Sequence, residues 1–158
     1  FGLVTVAADD LGIGQALEDA LPHFDYVAPM VYPSHYAPGV FGYANPAVFP
    51  YEVVKNSLAG ASFKIKNYEF GLPENFSSST LVSPSSSPGE SSSILPLIKV
   101  RRSRAKLRPW LQDFDLGADY DAAKVRDQIR ASEEVGATGW MLWDPKNLYT
   151  REALNSES

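Results

Sequence analysis

Three short stretches of the chain end in side chains able to do chemistry. Tyr-Val-Ala-Pro-Met-Val-Tyr-Pro-Ser-His-Tyr (26–36) closes on Tyr32, Ser34, His35 and Tyr36. Leu-Arg-Pro-Trp-Leu-Gln-Asp-Phe (107–114) brings Trp110, Gln112 and Asp113, and Gly-Trp-Met-Leu-Trp-Asp-Pro (139–145) brings Trp143 and Asp144. A carboxylate at a fixed position can move a proton or act as a nucleophile. Aromatic faces set among amide and hydroxyl groups make a cleft for a polar ligand. Each residue also has a plainer reading. Asp113 can cap a helix or brace a loop, Asp144 opens an Asp-Pro turn, and Gln112 can spend its amide on internal hydrogen bonds. Tyr32, His35 and Tyr36 can brace their own loop, and one of Trp110 and Trp143 is expected in the core.

Such side chains meet only if the elements beneath them deliver them to one place. Short apolar runs alternating with helical patterns predict βα units and a parallel sheet. The ligand site then lies beyond the carboxyl ends of the strands. Gly2 to Ala8 is β-branched and apolar and reads as a first strand, with Asp9 and Asp10 as caps of the next element. Leu17 and Leu21 give a short helix over Gly14 to Leu21, which Pro22 ends. Tyr26 to Val31 is the second strand, and 33–49 is a loop longer than a plain connection needs. Pro50 opens a helix on Tyr51, Val54 and Leu58, with Gly60 near its end. A third strand spans Leu107 to Phe114. Asp121 caps a helix with Ala122, Val125, Ile129 and Ser132 inward and Gly136 at its close. Gly139 to Trp143 is the fourth strand, and a last helix opens at Thr150. His23, beside Pro22 and far from any strand end, reads as structural.

Between these units, 61–106 reads as an insertion, with a disordered Ser/Pro-rich segment at 76–93. The basic cluster Lys99, Arg101, Arg102, Arg104 and Lys106 reads as a solvated loop. Asn75-Phe76-Ser77 is a glycosylation sequon, meaningful only in a protein secreted from a eukaryote.

The 158 residues suffice for one domain with a sizeable core. A net charge of -5 and a pI near 5.0 argue against a nucleic-acid footprint or a polybasic membrane patch. With no cysteine there is no disulfide or thiolate metal site, and two separated histidines do not make a ligand set. No cofactor is expected. No apolar run reaches the roughly 20 residues that span a membrane. The chain starts at Phe1 in a strand-like run and reads as a piece of a longer protein, so its compartment is open; the cell envelope or secretion would be compatible with the full-length protein.

Four βα units can form a small open sheet or half of an eight-stranded barrel. Strands ending in bulky, polar-tipped residues, and no glycine-rich phosphate turn after the first, favour an α/β fold that is a partial (β/α)8 TIM barrel. Half a barrel leaves strand edges to be covered by the missing amino-terminal half or by self-association. The motifs at 26–36 and 139–145, with Pro-Tyr-Glu-Val-Val-Lys (50–55) and Arg-Pro-Trp-Leu-Gln-Asp-Phe (108–114), resemble a family of TIM-barrel glycoside hydrolase-like proteins long catalogued as a domain of unknown function. The resemblance covers most of 1–158, in order, and implies the carboxyl-terminal half of that barrel, strands five to eight. The Ser-rich stretch and its basic tail have no match in that pattern.

What the resemblance implies is hydrolysis of an O-glycosidic bond of a polysaccharide. Two carboxyl groups flank the bond in most such enzymes, about 5 Å apart for retention and about 6.5–9.5 Å for inversion. Asp113 and Asp144 are then the candidate catalytic groups. Tyr32, His35, Tyr36, Trp110, Gln112 and Trp143 are the candidate sugar contacts. The resemblance also implies acidic residues from a strand absent here, so this chain alone is expected to be inactive. A non-catalytic carbohydrate-binding barrel and a truncated, inactive gene product are the alternatives.

Overall fold

The computed structural model describes residues 1–68 and 103–154. Three parallel segments lie side by side in chain order. Strand β1 (Tyr26–Val27) pairs with β2 (Lys106–Leu107), and β3 (Trp110–Gln112) pairs with β4 (Met141–Trp143). A bridge from Met30 to Trp110 joins the two pairs. The backbone of 25–31 is stitched to 106–110 by bonds such as Arg108 N to Val27 O (3.1 Å) and Val31 N to Trp110 O (3.1 Å). The expected strands at Tyr26 to Val31 and Leu107 to Phe114 are therefore present but interrupted, the latter at Arg108-Pro109.

Helices cover one face of this sheet. The principal ones are α1 (Leu17–Ala20), α2 (Pro50–Asn67) and α3 (Ala122–Glu134). Because side chains alternate along a strand, Val27, Leu107, Val31 and Leu111 all point toward the helices. Val27 and Leu107 join Leu17, Leu21, Ala61 and Ala105 in one core cluster. Val31 and Leu111 join Val54, Leu58 and Ala131 in a second, nearer the strands' carboxyl ends. Tyr26, Met30 and Trp143, of the opposite parity, remain substantially exposed. Arg108 and Lys106 lie over the Tyr26 ring, their charges 4.5 and 5.8 Å from its centre.

Several sequence expectations are corrected. Gly2 to Ala8 is not a strand: Gly2–Thr5 forms a 3-10 turn, with Val6 N and Ala7 N both donating to Leu3 O at 3.1 Å. The β preference of Val and Thr is realised only beside a pairing partner; here Thr5 Oγ1 donates instead to Gly2 O at 2.6 Å. The first helix is one turn, Leu17–Ala20, although Leu17 and Leu21 are buried as expected. The last is a 3-10 turn, Arg151–Ala153.

Helix α2 does not stop near Gly60 but runs on to Asn67, so the helical pattern continues through Ala61 to Asn67. At the far side, Lys106 is already in β2; residues 69–102, with the Ser/Pro-rich segment, the sequon and most of the basic cluster, lie outside the described residues. Gly60 is tolerated in mid-helix because the Gly2–Thr5 turn packs on it: an added Cβ would sit 2.5 Å from Val6 Cγ1 and 2.8 Å from Thr5 O. Gly60→Ala is therefore expected to destabilise by about 1–3 kcal/mol through overpacking, against a helix-propensity gain of about 1 kcal/mol. Urea unfolding would read the balance, and a stabilised variant would refute this account of the contact.

The caps of α3 are as expected, but its buried face is Val125, Gln128, Ala131 and Ser132, with Ala122 and Ile129 only half-buried. Asp121 Oδ1 accepts from Lys124 N (3.0 Å), and that bond holds its carboxyl below the usual range. Gly136, at φ 79°, closes the helix with Gly136 N to Glu133 O and Ala137 N to Ser132 O, the paired bonds of a left-handed C-terminal cap. Glu134 accepts from Lys55 and Tyr51 and so ties α3 to α2.

Candidate functional site

The long loop after β1 is ordered by its own turns and by the loop after β3. It contains 3-10 turns at Pro33–His35, Val40–Gly42 and Pro46–Val48. Asn45 Nδ2 donates to Gly117 O (3.0 Å) and Tyr120 Oη to Ala47 O (3.1 Å). Those bonds hold the end of the first segment against the end of the second.

The Tyr32, His35 and Phe114 rings meet there. Tyr32 stands edge-on to both, with ring centres 5.2 Å from His35 and 5.6 Å from Phe114; His35 and Phe114 are 5.9 Å apart. His35 is exposed and Tyr32 buried. Burial first, and the neighbouring Tyr149 second, push the Tyr32 phenol up to about 12. Tyr36 turns the other way. Its hydroxyl shares a 2.7 Å hydrogen bond with Ser57 of α2, and it abuts Gly2. The structure thus brings Tyr32 and His35 together and puts Tyr36 in the packed layer beneath.

Gln112 is wholly buried and fully employed. Its Oε1 accepts from Ser34 N (3.1 Å) and Ser34 Oγ (2.9 Å), and its Nε2 donates to Phe114 O (2.9 Å). Its backbone is served by Gln128 of α3: Gln112 N donates to Gln128 Oε1 (2.9 Å) and Gln128 Nε2 to Gln112 O (2.7 Å). The cause lies in the register. After Val31 N to Trp110 O, the next donor along the first segment would be residue 33, a proline with no N–H. A side-chain amide replaces the missing strand. Gln128 was not among the expected functional residues, although its place three residues after Val125 put a polar group on the buried stripe.

The two carboxylates are both 4% exposed and hold the two ends of one loop, 144–150. Asp144 Oδ1 accepts from Lys146 N (3.2 Å) and Oδ2 from Leu148 N (2.7 Å), so both its oxygens are engaged. Asp113 anchors β3 to β4 through its own N–H on Trp143 O (2.9 Å), and its Oδ2 accepts from Thr150 N at 2.9 Å. Its Oδ1 is the single buried side-chain polar atom among the described residues without a hydrogen-bond partner. Asp113 has the strand parity of Leu111, not that of Gln112, which is why it reaches the 144–150 loop. Trp110 and Trp143 stand edge-to-face, ring centres 6.0 Å apart, on the parity of Gln112; Trp143 is the more exposed. Asp10 spends its carboxylate on Gly12 N and Gly14 N, and Asp9 on Leu11 N.

Among the described residues no group of three or more His, Cys, Asp or Glu side chains is placed to hold a metal, and no helix is long and apolar enough to cross a membrane. The family described as "Putative glycosyl hydrolase domain" matches residues 1–76 and 79–149, so the Ser-rich stretch from residue 79 on and its basic tail, expected to have no match in the family pattern, lie within the match. The chain belongs to that family. No curated protein and no solved structure matches it. The matched residues include both carboxylates, the Tyr32–His35–Phe114 cluster and the paired tryptophans.

Proposed function

We propose that the protein hydrolyses O-glycosidic bonds of a polysaccharide by carboxylate acid/base catalysis, with Asp113 as one of the two carboxyl groups. The observation that carries this reading is the unpartnered Oδ1 of Asp113. Leaving a buried acceptor unpaired costs about 1–3 kcal/mol, and a native structure retains such a group for a reason. Thr150 N fixes the carboxylate through Oδ2 and leaves the other oxygen for a proton or a substrate atom. The ring of the next residue, Phe114, packs on Tyr32 and His35, and family membership supports the reaction class. Asp144, with both oxygens on backbone N–H groups, serves the loop.

The fold that suits this reading is part of a (β/α)8 barrel. Three parallel segments in chain order, with the helices among the described residues against one face and large side chains on the other, are what a barrel wall presents. The engagement of both Asp144 oxygens favours one rival, a carbohydrate-binding barrel without catalysis. Release of reducing sugar by the intact protein from a panel of polysaccharides, lost in Asp113→Asn, would support the hydrolase. Binding without release would support the rival.

A further inference from the structure

We propose that Tyr149 is a substrate contact, held rigidly at the mouth so that its ring takes the face of a sugar residue of the polysaccharide. The inference rests on the glycosidase reading and adds a specificity-determining residue to it.

The loop 144–150 is short and unusually well fastened. Three of its N–H groups, those of Lys146, Leu148 and Thr150, donate to the two buried carboxylates, and Asn147 N donates to Asp144 O at 3.1 Å. Asn147 adopts φ 56°, a left-handed conformation that Asn tolerates better than most residues. The loop buries little in return: Leu148 is 72% exposed and Tyr149 40%. Two buried carboxylates thus hold in place a segment whose large side chains face solvent. A rigid aromatic presented in this way loses little conformational entropy when it binds.

Its place in the fold says what it would bind. Thr150, the next residue, is bonded to Asp113; the residue after Asp113 is Phe114, whose ring packs on Tyr32 and His35. Tyr149 is also near enough to Tyr32 to help raise its phenol, after burial. An exposed tyrosine on a loop tied to Asp113 suits a pyranose ring, apolar on one face and edged with hydroxyls.

The test uses the intact protein and the variants Tyr149→Ala and Tyr149→Phe. Binding is read by retardation in gels cast with hydroxyethyl cellulose, xylan or glycol chitin, and KM and kcat are read on whichever of these is cleaved. Tyr149→Ala is expected to weaken binding and raise KM about tenfold, with little change in kcat, since a stacking contact is of that size. Tyr149→Phe, which keeps the ring and its packing, is expected to stay within about twofold of wild type. Unchanged binding by Tyr149→Ala would overturn the inference, and so would a Tyr149→Phe variant as weak as the alanine. Wild-type protein retarded by none of the three polymers would instead overturn the glycosidase reading, and this inference with it.

Discussion

Replacing Asp113 by Asn is expected to lower the rate of polysaccharide hydrolysis by about 10²–10⁴-fold, the usual contribution of a positioned acid or base. The substitution is nearly isosteric. The amide oxygen can still accept from Thr150 N, so the tether of the 144–150 loop survives, and Asp113 N still donates to Trp143 O. What changes is the buried Oδ1 position, where an amide can neither ionise nor take up a proton. The rate loss should therefore appear in kcat, with sugar binding in the gel assay retained and the urea midpoint shifted only modestly. Activity that survives Asp113→Asn would reduce Asp113 to a loop anchor like Asp144. Asp113→Ala should behave differently from Asp113→Asn, because it also releases Thr150 and loosens the rim.

The second large effect concerns stability. Gln128→Met is expected to destabilise the fold by about 2–6 kcal/mol, because it leaves both the N–H and the C=O of Gln112 buried without partners, at about 1–3 kcal/mol each. Methionine matches glutamine in length, so a cavity contributes little. Gln128→Glu should fall between: its carboxylate can accept from Gln112 N but cannot donate to Gln112 O. Urea denaturation would show a lower midpoint at unchanged slope. A Gln128→Met variant as stable as wild type would mean that the two backbone groups find other partners, and the strand-replacing role of Gln128 would be wrong. Because Gln112 in turn holds Ser34, loosening it should also reach the loop that carries Tyr32 and His35.

Local chemistry made parts of this protein legible from residues alone. Asp121 and Gly136 bound α3 because an acceptor at the N-cap and a left-handed glycine at the other end satisfy groups that no neighbouring element need supply. Leu17 and Leu21, and Val54 and Leu58, are buried because their spacing puts each pair on one helix face. Family membership was legible too, in motifs that keep their order along the chain. What a residue does at long range was not. Gly60 reads as a helix stop, since nothing in its own segment shows the Gly2–Thr5 turn lying against it. Gly2 to Ala8 reads as a strand because Val and Thr favour one, but strand formation depends on a partner that tertiary structure did not provide.

The site divides in the same way. Residue types placed carboxylates, aromatics and an amide at the ends of the segments, and those are local facts. Which of them are spent, and which are left over, was decided by hydrogen bonds across large separations. Gln112 is consumed by Ser34, Phe114 and Gln128, Tyr36 by Ser57, and Asp144 by its own loop. Asp113 alone keeps a buried oxygen unpartnered among the described residues. A sequence states how many donors and acceptors each side chain has. Only the folded chain, bringing polar atoms of residues 34 and 128 within 3 Å of those of residue 112, decides how they are used.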